Sequence, residues 1–134
     1  MHGSTHPPVG HPHVPAGRSD VSAGLVIACD VGGTGIKAGL VDPRGRIQHA
    51  RTVPTPVVPG DGAATATAVT ECLVGLTGDL RAAAEARSRS VVALGVVVPG
   101  LVDAAAGVAR YSENLGWRDV PFAELLASAT GLPV

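Results

Sequence analysis

One segment constrains the fold more than any other: Asp30-Val31-Gly32-Gly33-Thr34-Gly35-Ile36-Lys37. Leu25-Val26-Ile27-Ala28-Cys29 before it is a short apolar run, β-branched at two positions, and reads as a buried strand ending at Asp30. Two adjacent glycines break the strand. Ile36 to Val41 then resumes an extended pattern, with Ile36, Ala38 and Leu40 on one face and Lys37, Gly39 and Val41 on the other. A carboxylate at a strand end, followed by backbone without Cβ atoms, lets main-chain N–H groups approach an anion. Thr34 adds a hydroxyl. Asp30 suits a hydrated Mg²⁺, because hard cations prefer carboxylate and water oxygens. Lys37 is the only lysine in the chain and adds positive charge if it faces the same cleft. The segment is not a P-loop, since GxxxxGK[ST] is absent, and it is not a dinucleotide fingerprint, since GxGxxG is absent and a strand follows. Phosphate binding by a β-hairpin turn is the remaining functional mode. An ordinary glycine-rich hairpin turn is the alternative.

The rest of the chain reads as alternating strands and helices. Asp42-Pro43-Arg44-Gly45 is a turn by residue type, and Arg46 to Val53 is a third strand. A connector with Pro54, Pro56 and Pro59 leads to Asp61, which caps a helix from about Ala63 to Arg87. Ala66, Val69, Leu73, Leu76 and Leu80 form its buried stripe. Val91 to Val98 is nearly all apolar, as in a central strand covered on both faces. Pro99-Gly100 ends it. Gly107 to Ser112 suggests a short strand. Pro121 opens a helix to about Thr130, closed by Gly131, and Leu132-Pro133-Val134 reads as the entry to a further strand. The order is β-β-β-α-β-(β)-α-(β), an α/β fold.

Composition excludes several classes. With 46% hydrophobic residues and a net charge of −1, the composition is not that of a disordered polymer and removes the electrostatic case for nucleic-acid binding. No apolar run reaches the roughly 18 residues of a membrane span, and no secretory signal pattern opens the chain, so a cytoplasmic protein is expected. Aromatics are only 2%, so Val, Leu, Ile and Ala must build the core. Cys29 and Cys72 lie in apolar segments and read as core residues. Residues 1–24 hold four of the five histidines and read as a disordered Pro/His-rich tail; His2, His6, His11 and His13 have no rigid frame for a metal. Trp117 is expected to pack against the second helix, His49 to be an exposed strand residue, and Arg110 and Arg118 to be surface charges. Asp103, Glu113 and Asp119 are expected on solvated loops.

CDVGGTGIKAGLVDPRGRI resembles the first phosphate motif of the ROK sugar kinases, bacterial glucokinase-like enzymes of the actin-like ATPase (ribonuclease H-like) fold. A second block carries the likeness on: VPGLVD, the Asn-Leu-Gly-Trp of Asn114 to Trp117, and the closing GLPV. The resemblance covers 25–134 and implies the N-terminal ATPase lobe of such a kinase. It implies that Asp30, Gly32, Gly33, Thr34, Gly35 and Lys37 line the ATP phosphates, with Asp30 on Mg²⁺ directly or through water. It places Gly100 and Asn114 at the sugar pocket. The Gly35-Ile36-Lys37 version is similar to the polyphosphate/ATP glucokinase branch, which makes polyphosphate an alternative donor. By the same resemblance, the general-base aspartate, the second phosphate motif and a structural Zn²⁺ site fall beyond Val134, and the full-length protein is a homodimer. The chain alone is therefore expected to be inactive as a hexose kinase. A sugar-sensing ROK transcriptional repressor is the alternative, but such repressors carry a DNA-binding domain ahead of the kinase-like part, and here 24 residues precede the first strand.

Overall fold

A computed structural model describes residues 23–134. The tail reading and its four histidines fall outside the described residues, apart from Ala23 and Gly24. Three strands open the fold as a meander: β1 (Leu25–Val31), β2 (Gly35–Val41) and β3 (Ile47–Pro54). Helix α1 (Gly62–Glu85) and strand β4 (Val91–Val97) follow. Three short strands, β5 (Leu101–Asp103), β6 (Val108–Tyr111) and β7 (Arg118–Val120), precede helix α2 (Phe122–Thr130). The main sheet has the order β3-β2-β1-β4, with β1 antiparallel to β2 and parallel to β4.

Alternation along the strands decides where the core sits. Leu25, Ile27, Cys29 and Val31 of β1 and Ile36, Ala38 and Leu40 of β2 are buried, and they share one core with Ala66, Val69, Leu73, Leu76 and Leu80 of α1. The expected helical stripe is thus the one that packs. Asp61 starts the helix, its carboxylate accepting from the Ala64 N–H at 2.9 Å. At the β2–β3 turn the Asp42 carboxylate accepts from the backbone N–H groups of Arg44 and Arg46 at 2.9 and 3.0 Å. These bonds, the Arg46 backbone one foremost, hold the Asp42 carboxyl below the usual aspartate range. His49 is exposed and has φ 51°, at the bulge where β3 slips against β2.

Strand β4 departs from expectation. It is an outer strand of the described sheet, and β1 is central. Leu94 is buried, but Val92 and Val97 are 49% and 65% exposed. The apolar run reports hydrophobic side chains on both faces; residues 23–134 cover only one of them. The segment read as a strand entry does reach this edge, since the Leu94 N–H donates to the Pro133 carbonyl at 2.9 Å, though no strand forms there.

A second sheet, β5-β6-β7, contains two strands that the sequence reading lacked. Each is three residues long, too short for periodicity to register. Asp103 and Asp119 therefore sit on β5 and β7, not on loops, and both pair with Arg110 of β6 at 3.1 and 3.2 Å. Arg118 lies 4.7 Å from the centre of the Tyr111 ring. Trp117 is buried and meets the Phe122 ring of α2 edge-on, 5.1 Å between centroids, as expected of a packing residue. Pro121 occupies the cap position just before α2 rather than its first turn, and Gly131 closes the helix at φ 72°.

Candidate functional site

The sheet has one face under α1 and one open face. Asp30 and Lys37 are cross-strand partners in the β1–β2 register, and both are exposed on the open face. Among the described residues neither takes part in a salt bridge, so both charges are free to meet a ligand. Val97 pairs with Asp30 from the other side. Small residues, among them Ala28, Gly39, Ala50 and Gly95, floor a groove of about 640 Å³ that Asp30 and Lys37 line. The next residue along, Cys29, points the opposite way. Burial, with Cys72 nearby, pushes its thiol up to about 11.

The turn beyond Asp30 is tight. The Gly32 N–H donates to the Gly35 carbonyl at 2.8 Å, and a Cβ on Gly32 would sit 2.9 Å from that oxygen. Gly33 is different. It is exposed, its φ is not positive, and a Cβ there would meet nothing within 4 Å. The fold itself does not require glycine at this position. A Cβ would instead fill the open space in front of the turn, which is where a phosphate must come to reach the backbone N–H groups. An exposed carboxylate close in sequence to backbone N–H groups left clear of Cβ atoms is a donor set whose chemistry suits a phosphate and a hydrated Mg²⁺.

Gly100 lies at the same end of the sheet, three residues past Val97, while the glycine turn follows Asp30, the parallel partner of Val97. Ligands of open α/β sheets gather at the C-terminal ends of parallel strands. Here the chain's own backbone dictates glycine: φ is +100°, and a Cβ on Gly100 would lie 2.0 Å from the Tyr111 carbonyl oxygen. Asn114 is exposed on the turn after β6, which is closed by bonds from the Gly116 N–H to the Ser112 carbonyl and from the Ser112 N–H to the Trp117 carbonyl. The start of α1 braces this turn, because a Cβ on Gly62 would lie 1.9 Å from the Gly116 carbonyl oxygen. The connector between β3 and α1 completes the link. Thr55 touches the glycine turn, and the Val58 N–H donates to the Thr65 hydroxyl at 2.9 Å. The structure therefore brings Asp30, Lys37 and Gly32 to Gly35 together, sets Gly100 at the same sheet end, and joins the Asn114 turn to them through the connector. In the sequence Thr55 is marked only by its place between Pro54 and Pro56 directly after a strand.

A family model described as the ROK family matches residues 26–134. The chain belongs to the ROK family. It is 32% identical over 111 residues to a glucokinase of Streptomyces coelicolor, covering 83% of this chain and 31% of that protein. It is 33% identical over 108 residues to an N-acetylmannosamine kinase of Salmonella arizonae, covering 80% of this chain and 33% of that protein. Among solved structures it resembles a ROK glucokinase from Streptomyces griseus in complex with glucose and AMPPNP, with TM-score 0.68, 29% identity and coverage of 83% and 32% of the two chains. It also resembles an inorganic polyphosphate/ATP-glucomannokinase from an Arthrobacter strain, with TM-score 0.65, 29% identity and coverage of 84% and 43%. The chain thus spans about a third of the length of the curated relatives it matches. Its fold is part of the actin-like ATPase fold of ROK sugar kinases. No helix among the described residues is long and apolar enough to cross a membrane.

Proposed function

We propose that this chain is the nucleotide-binding portion of an ATP-dependent hexose kinase that phosphorylates the 6-hydroxyl of glucose or a related sugar. The observation that carries the reading is the placement of Asp30 and Lys37, side by side and unpaired, on the open sheet face at the foot of the Gly32–Gly35 turn. Homology to glucokinases and an N-acetylmannosamine kinase supports sugar phosphorylation. The neighbour that holds AMPPNP supports ATP as donor, and the glucomannokinase keeps polyphosphate as the alternative.

In this reading each residue has a stated task. The turn N–H groups and the Thr34 hydroxyl bind phosphoryl oxygens, and Lys37 adds a positive charge beside them. Asp30 would hold Mg²⁺, directly or through water; the ion, when bound, neutralises charge on the phosphates. Gly100 brings main chain close to the sugar, and Asn114 supplies a side-chain amide that can bond its hydroxyls. Phosphoryl transfer depends on positioning and on charge stabilisation around both substrates. The groups of residues 23–134 bind and orient; no base for the sugar hydroxyl is assigned to any of them.

Calorimetry with Mg·ATP, alongside a coupled assay for glucose 6-phosphate, tests this. The chain is expected to bind the nucleotide and to make no product from glucose. Absence of nucleotide binding contradicts the assignment of the turn, and product formation by the 134-residue chain overturns the assignment of the base elsewhere.

A further inference from the structure

Thr55 is the first residue after β3, and it is buried behind the glycine turn. It grips the turn twice. Its hydroxyl donates to the Gly32 carbonyl at 2.7 Å, and its backbone N–H donates to the Thr34 carbonyl at 3.1 Å. Both contacts fall on carbonyl oxygens, and this fixes the N–H groups on the other side of the same peptides. The peptide unit is planar and trans, so the N–H of each residue points opposite to the carbonyl before it. No peptide here is cis. With the Gly32 carbonyl drawn back to Thr55, the Gly33 N–H points away from Thr55. With the Thr34 carbonyl drawn back, the Gly35 N–H does the same.

A two-residue hairpin turn ordinarily closes on the bond from its fourth N–H to its first carbonyl. Here the bond from the Gly32 N–H to the Gly35 carbonyl closes the turn, and the Gly32 carbonyl goes to the Thr55 hydroxyl instead. Among the described residues no bond from the Gly35 N–H to the Gly32 carbonyl accompanies it.

We propose that Thr55 is a positioning residue: by holding two carbonyls of the Gly32–Gly35 turn from behind, it presents the Gly33 and Gly35 N–H groups to a phosphoryl oxygen before any ligand arrives. Thr55 itself does not touch the ligand. Donors fixed in advance need no reorganisation when the anion binds, which is where such geometry gains affinity. The kinase reading supplies the identity of the ligand; the orientation of the two amides belongs to this chain in either case.

Amide ¹H–¹⁵N NMR of the full chain tests the proposal, with Mg·ATP and, separately, inorganic tripolyphosphate as probes. In the unmodified protein either probe shifts the Gly33 and Gly35 amide protons downfield. Thr55→Ser, which keeps the hydroxyl, reproduces these shifts. Thr55→Val, of similar shape without the hydroxyl but with the backbone N–H that holds the Thr34 carbonyl, binds ~10-fold more weakly and loses the Gly33 shift, a loss on the scale of one charge-assisted hydrogen bond. Wild-type affinity and shifts in Thr55→Val overturn the proposal, as do Gly33 and Gly35 amides that stay unmoved at saturating tripolyphosphate in the unmodified protein. Where Thr55→Val does not fold, the amide response of the unmodified protein and of Thr55→Ser decides. A tripolyphosphate response without an ATP response, or without sugar phosphorylation in any ROK protein built on this segment, counts against the kinase reading and leaves the role of Thr55 standing.

Discussion

The two faces of the main sheet are built from alternate residues of the same strands, and they do opposite things. Cys29 and Ala38, partners across β1 and β2, are buried under α1. One residue along on each strand, Asp30 and Lys37 are also partners, and both are exposed. The covered face has large side chains, including Leu25, Ile27, Ile36 and Leu40, all nearly solvent-free. The open face has Ala28, Gly39 and Gly95 along the floor of the groove, with Ile47 and Val97 exposed at its sides and Asp30 and Lys37 in its lining. Stability therefore comes from one face, while the other is kept shallow and charged at the turn. Because the period of a strand is two, a change of one position moves a residue from the first role to the second.

Polar insertion breaks this contrast most severely. Ala38→Asp buries an uncompensated carboxylate in the core, and a loss of more than about 4 kcal/mol is expected. Ala28→Asp, one face over, is expected to stay within about 0.5 kcal/mol of the parent chain. Denaturant melts of the pair check this; equal losses would show that the open face is in fact packed. Leu73→Ala, in the α1 stripe over the covered face, is expected to cost about 2–5 kcal/mol by the same measurement.

Cys29 gives a milder probe of the same boundary. Its thiol is raised from 9.0 to about 11, mainly by burial, so the folded state favours the protonated form. The sign follows directly. The stabilisation this confers is complete below the unfolded value, and it is lost as pH rises from about 9 towards 11. At neutral pH, iodoacetamide should modify Cys29 far more slowly in the folded than in the urea-unfolded chain. A cysteine placed by Asp30→Cys should react without unfolding. Equal rates at the two positions would erase the distinction between the faces.

The sequence made much of this visible, for physical reasons. The α1 stripe, the Asp61 cap, the Asp42–Gly45 turn and the first three strands are local patterns of periodicity and turn chemistry, and they appear where expected. The covered and open faces of β2 were legible from the alternation of Ile36, Ala38 and Leu40 with Lys37 and Gly39. Strand order was not. The valine run of β4 reports apolar side chains, and it carries no information on which neighbour covers them. Strands β5 and β7 are three-residue segments defined by their pairing with β6, and a run that short carries no periodicity to read. At the site, the glycines and Asp30 were legible as a chemical pattern, and Thr55 was not, because its role rests on two bonds to a turn more than 20 residues earlier in the chain.

The most direct test of the central claim is the dissociation constant of Mg·ATP for Asp30→Asn against the unmodified chain. The substitution removes one charge from an exposed side chain on the open face and leaves the covered face untouched. Binding at least ~10-fold weaker is expected, on the scale of a lost charge-assisted contact, with an unchanged melting temperature. An unchanged dissociation constant would contradict the assignment of this face to the nucleotide.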